Sequence, residues 1–208
     1  MIKKQLTEEE QNARHAEKMA KKKAARDKIL ATKTIEKGLI IVHTGKGKGK
    51  SSAAFGMAFR SLGHGHKISV IQFVKGAWNS GEKVMLEKFP DQVTIKSMGE
   101  GFTWETQDRQ KDIENAQAAW AAAKAEILNP ENQFVLLDEL NIVLRYDYLP
   151  IEEVVDFLVN DKPEDTHVVI TGRNAKDELI EVADLVTEMT LIKHPFRDGV
   201  KAQEGIEF

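Results

Sequence analysis

The residues best equipped for chemistry lie in one stretch, "HTGKGKGKSS", at positions 43–52. Gly45, Gly47 and Gly49 alternate with Lys46, Lys48 and Lys50, and two hydroxyl residues, Ser51 and Ser52, follow. Glycine adopts dihedrals that other residues avoid and lets the main chain come close to a ligand. A turn of this kind between a strand and a helix aims several N–H groups at one point, where a phosphate chain can sit. Lys50 can reach the phosphates, and Ser51 can offer a hydroxyl to Mg²⁺. The match to the pattern G-x-x-x-x-G-K-[ST] is partial, because Thr44 stands where its first glycine is expected. That departure suggests a triphosphate seated differently from one cleaved at its γ-phosphate.

Two further groups could act beside such a loop. "FVLLDEL" places Asp138 and Glu139 at the end of an apolar run. A carboxylate there can hold Mg²⁺ directly or through water, and position alone does not choose between the two. "MGEGFTWETQDRQ" sets Phe102 and Trp104 two residues apart in a glycine-flanked segment. On an extended loop both rings can face one side, and the segment lies beyond a strand end, where α/β proteins bind ligands. Two aromatics that merely cap the core are an equally open reading. Arg60, Arg109, Arg145 and Arg173 are available, and none stands out as an arginine finger. His43 and His64 lack metal-site spacing and read as structural or nucleotide-adjacent.

These groups need elements to position them, and the apolar pattern supplies them. "GLIIVHT", "KISVIQFVKG", "QVTIKSMG", "NQFVLLDEL", "THVVITGR" and "ADLVTEMTLIKH" read as six strands. "SSAAFGMAFRSLG" reads as a helix closed by Gly63, and further helices are expected near 81–89, 108–128, 151–160 and 175–182. Near-continuous apolar strands separated by helices imply a parallel sheet covered on both faces. The expected fold is α/β and three-layered, with one domain over residues 38–208. Residues 1–37 form a basic helical arm, since the first 33 residues carry ten Lys/Arg against five Asp/Glu and little apolar surface.

Composition narrows the function classes. The 208 residues are 41% hydrophobic and 30% charged, enough for one domain with a core. The absence of cysteine excludes disulfides, thiolate catalysis and cysteine-bound metals, and favours a cytoplasmic setting. No apolar run approaches the roughly 18–20 residues of a membrane span, and the charged start does not read as a signal peptide. A net charge of -3 argues against a nucleic-acid-binding module, although the lysine-rich arm speaks for one.

"HTGKGKGKSSAAFGMAFRSLGHG", "QFVKGAWNSGE", "GFTWETQDRQKD", "LLDELN", "VVITGRNA" and "ADLVTEMTLIKHPFRDGVKAQEGIEF" together resemble the ATP:corrinoid adenosyltransferases of cobalamin biosynthesis and salvage. The likeness covers nearly the whole chain, and the closing "KHPF…G…AQ.GIEF" is more specific than the loop. Lys46 and Ser52 depart mildly from the family, which more often has Asn and Thr there. The resemblance implies a P-loop, RecA-like fold with a mostly parallel sheet of about six strands. It implies transfer of the 5′-deoxyadenosyl group of ATP to the Co(I) of a reduced corrinoid, releasing triphosphate. Residues 44–52 would bind ATP, Ser51 and Asp138 would hold Mg²⁺ or Mn²⁺, and Glu139 would take part in catalysis. Phe102 and Trp104 would displace the lower ligand of cobalt, and Arg14 of the arm would touch nucleotide or corrinoid. An electron donor such as flavodoxin or reduced flavin, and a homodimer, are implied as well. Hydrolysis of ATP or phosphoryl transfer on the same fold is the alternative.

Overall fold

A computed structural model describes residues 7–74, 80–98 and 108–207. The chain divides into two compact units, Met1–Glu36 and Lys37–Phe208. The first unit is a helix, α1 (Glu8–Leu30), none of whose residues is buried. A capping box starts it. The Thr7 hydroxyl accepts the Glu10 N–H at 3.2 Å, and the Glu10 carboxylate accepts the Thr7 N–H at 2.9 Å. Three glutamates in the first turn and Lys28 in the last suit the helix dipole.

The second unit holds six strands: β1 (Ile40–Thr44), β2 (Lys67–Gln72), β3 (Val93–Ser97), β4 (Asn132–Asp138), β5 (His167–Thr171) and β6 (Leu185–Glu188). They form one sheet in the order β3-β2-β4-β5-β1-β6, and every pairing is parallel. The α-helices among the described residues of this unit are α2 (Lys50–Gly63), α3 (Gly81–Leu86), α4 (Arg109–Leu128), α5 (Leu140–Arg145), α6 (Ile151–Asn160) and α7 (Asp177–Val182). Successive strand residues point to opposite faces, so the inner strands β1, β2, β4 and β5 each feed two cores. Ile41, Phe134, Leu136 and Val169 pack with Ala54, Phe55, Ala58 and Leu62 of α2 and Leu86 of α3. Val42, Val135, Leu137, Val168 and Ile170 pack against α4 through α7. Trp120 of α4 donates to Glu153 of α6 at 2.9 Å and meets the Phe157 ring edge-on.

A glycine loop joins β1 to α2, and β5 alone separates β1 from the acidic strand β4. This is a three-layer α/β fold, a parallel sheet with a helix-covered core on each face. The expected six strands are present, and the sheet is wholly parallel rather than mostly so. The helices expected near 81–89 and 175–182 are shorter, and α5 has no counterpart among the expected helices. It begins directly after Glu139, whose left-handed φ of 61° turns the chain out of β4 without any capping side chain. No helix among the described residues is long and apolar enough to cross a membrane.

Candidate active site

The carboxyl ends of β1, β5 and β4 lie side by side, which brings the glycine loop and the acidic pair together. Gly49 closes the loop with φ 101°, a left-handed value that L side chains rarely adopt, and serves as the N-cap of α2. No side chain caps α2, so its first-turn amides keep the positive end of the helix dipole available to an anion. A Cβ on Gly49 would meet nothing within 4 Å. Gly45 shares that left-handed region at φ 98°, and it and Gly47 are needed for a further reason. A Cβ on Gly45 or Gly47 would come within 2.5 or 2.7 Å of the Met189 carbonyl oxygen, so the main chain after β6 runs directly against the loop.

Thr44, which occupies the missing-glycine position, has a structural task of its own. Its hydroxyl accepts the Ala175 N–H at 3.0 Å and ties the end of β1 to the loop after β5. The buried His43 ring has its Nδ1 3.2 Å from the Lys50 carbonyl, which fits its structural reading. Lys50 is itself buried, and its ammonium donates to the Gly47 carbonyl at 2.5 Å. Burial pulls its pKa below the usual lysine value. Glu139 opposes that shift, while Arg173 and Lys48 add to it. Lys46, Lys48 and Ser52 are exposed.

Across the loop, Asp138 is buried and well supplied with partners. The Thr171 hydroxyl donates to its Oδ1 at 2.8 Å, and Gln72 approaches its Oδ2 at 3.5 Å. Burial nevertheless raises its pKa, with Thr171, the Ser51 hydroxyl and Gln72 pulling the other way. Thr171 also accepts the Glu139 N–H at 2.9 Å, so one hydroxyl locks both acidic residues. Glu139 is pushed up to about 7, first by burial and then by the charge of Asp138. Its Oε2 is buried with no hydrogen-bond partner among the described residues, as is the Asn141 Oδ1. Asn141 donates to the Gly172 carbonyl at 3.1 Å, and Gly172, at φ 129°, leaves no room for a Cβ beside Asn141 and Glu139.

The structure thus gathers Thr44 through Ser52, Asp138 and Glu139 at one edge of the sheet. Of the two carboxylates, Asp138 is the one whose pKa Ser51 helps to lower. Arg14 lies on α1, in the other unit. Phe102 and Trp104 fall outside the described residues. Sequence reasoning gave no role to Gln72, Thr171, Asn141 and the Met189 carbonyl, which reach the site only through parallel neighbours or close backbone approach. Among the described residues no group of three or more His, Asp or Glu side chains converges on a metal position. An ion here would share Ser51 and Asp138 with oxygens brought by a ligand.

The sequence pattern of "ATP:corrinoid adenosyltransferase BtuR/CobO/CobP" matches residues 36–208, and that of "Cob(I)alamin adenosyltransferase N terminal" matches residues 7–30. A corrinoid adenosyltransferase of Sinorhizobium sp is 64% identical over 201 residues, covering 96% of this chain and 94% of the relative. One from Pseudomonas aeruginosa is 51% identical, covering 96% and 98%, and one from Escherichia coli K12 is 45% identical, covering 94% and 98%. The chain belongs to the ATP:corrinoid adenosyltransferase BtuR/CobO/CobP family.

Proposed function

We propose that this protein transfers the 5′-deoxyadenosyl group of ATP to the cobalt of a reduced corrinoid and releases inorganic triphosphate. The observation that carries the reading is a glycine loop and an uncapped helix start set beside the buried Asp138 carboxylate, in a chain of this family. Loop amides, the first turn of α2 and Lys50 grip the triphosphate by its charge. Attack then falls on the ribose C5′. The Co(I) electron pair forms the new cobalt–carbon bond, the C5′–O bond breaks, and the triphosphate leaves with the pair of the broken C5′–O bond. Stabilising the leaving charge is the task of the loop. Cobalt is the nucleophile, so no serine, cysteine or histidine need attack.

A divalent cation suits the residues present, because Ser51, Asp138 and the unpartnered Glu139 Oε2 offer hard oxygen donors. Ser51 and Asp138 would hold Mg²⁺ or Mn²⁺, with Glu139 nearby as a catalytic carboxylate. When bound, the ion supplies charge neutralisation at the phosphates. Phe102 and Trp104 serve as the apolar floor that keeps a lower ligand off cobalt, and Arg14 contacts nucleotide or corrinoid. The reading carries with it an electron donor such as flavodoxin or reduced flavin, a homodimer, a cytoplasmic setting, and an arm over residues 1–37 ahead of an ATP- and corrinoid-binding domain over 38–208.

Its test is spectroscopic. The protein incubated with ATP, Mg²⁺, a corrinoid and a strong chemical reductant is expected to yield a light-sensitive alkyl-cobalt spectrum. A spectrum that stays that of Co(I) while the protein remains folded refutes it.

A further inference from the structure

The run "KHPFRDGVKAQEGIEF" is the most specific part of the family likeness, yet the proposed reaction gives it no task. The structure folds it back toward the phosphate loop. The Gly47 N–H donates to the Met189 carbonyl at 2.7 Å, and the Met189 N–H donates to the Thr44 carbonyl at 2.9 Å. Further on, Gly199 at φ 76° ends a short 3₁₀ turn (Pro195–Asp198), and Gly205 at φ 77° helps shape a second turn. There the Glu207 N–H reaches the Gln203 carbonyl at 2.8 Å. The result is an ion pair between the Glu207 carboxylate and the Lys48 ammonium, two residues before Lys50. Lys48 is 54% exposed at its side chain and Glu207 19%. The hydrogen bond from Lys48 holds the Glu207 acid below its usual range, so the carboxylate is ionised at neutral pH.

We infer that Glu207 is a stand-in for phosphate: its carboxylate holds Lys48 until the triphosphate of ATP arrives and takes that lysine over. The inference rests on the proposed seating of ATP in the glycine loop. A carboxylate left beside a polyanion is repelled, so nucleotide entry exchanges one ion pair for another and moves residues around 205–207 away from the loop. Exposed ion pairs are weak, and the exchange therefore tunes affinity by a few-fold rather than switching binding on or off. Glu207 lowers the affinity for the nucleotide, and for the triphosphate product, through Lys48 alone.

Calorimetry with ATP and with inorganic triphosphate tests this on the full chain and on Glu207→Gln, Lys48→Met, the double variant and Lys50→Ala. Glu207→Gln is expected to bind both ligands about two- to fivefold more tightly, with a gain that shrinks as salt rises. In the Lys48→Met background the same change is expected to give no gain. Unchanged or weaker binding by Glu207→Gln, or a gain that persists without Lys48, overturns the assignment. Lys50→Ala separates the two levels of the argument, since a loss of tenfold or more shows that the loop is the seat. Given that loss, absence of a Glu207 effect refutes the Glu207 assignment alone. Equal binding by Lys50→Ala refutes the seat and the assignment together. Glu207→Ser serves as the second variant should Gln disturb the turn.

Discussion

Thr171 has no exposed surface, and its single hydroxyl accepts from Glu139 while donating to Asp138. Replacing it with Val keeps the shape and removes both bonds, leaving a buried N–H and a buried carboxylate oxygen short of partners. Thr171→Val is expected to lose about 1–3 kcal/mol in chemical denaturation, while Thr171→Ser stays close to the wild type. Equal stability of the two variants would show that the hydroxyl is idle. The loop and the acidic pair were legible because their residues are neighbours in sequence and carry a local pattern. Thr171 and Gln72 were not, since they meet Asp138 only through parallel strand pairing across long sequence separations. For the glycines, the pattern points to conformational freedom, which Gly45 and Gly49 use with their left-handed φ, and it does not disclose that Gly45 and Gly47 also make way for the backbone at Met189 and Thr190.

At the scale of elements, α2 carries a glycine that the fold does not need. Gly56 lies exposed within the helix, has an ordinary φ, and a Cβ added to it would meet nothing within 4 Å. Gly56→Ala is expected to raise stability by about 0.5–1 kcal/mol through helix propensity, read from denaturant midpoints at unchanged slope. A decrease would reveal a neighbour that packs on this face. β5 starts with a pH-sensitive contact, because His167 Nδ1 accepts the Leu39 N–H at 3.1 Å. Burial, then Lys162 and His66, hold the His167 pKa below its ordinary 6.5. The folded state thus sheds a proton that the unfolded chain keeps. This contribution is complete above pH 6.5 and is lost as pH falls from there through the folded value. The stability advantage of the wild type over His167→Gln is expected to shrink between about pH 7.5 and pH 5.5, and a constant difference refutes the contact's role. Strands and long helices were legible from apolar runs and periodicity. The short α5 was not, because its start depends on one left-handed residue, Glu139, rather than on a capping signal.

Among the described residues, the second unit is built on a wholly parallel sheet with the glycine loop and acidic pair at its carboxyl edge, and the first unit holds a helix with no buried residue. Composition marked that helix, since a basic, alanine-rich segment with a thin apolar stripe cannot build a core of its own. The family was legible from motifs spread along the chain, while the roles of Phe102, Trp104 and Arg14 rest on that relationship. The central claim concerns which bond of ATP breaks, and phosphorus NMR of a single-turnover mixture addresses it directly. Purified protein, ATP, Mg²⁺ and chemically generated Co(I) corrinoid are expected to give one intact inorganic triphosphate for each adenosylated corrinoid, with no ADP. ADP and free phosphate accumulating in that ratio instead would contradict the account.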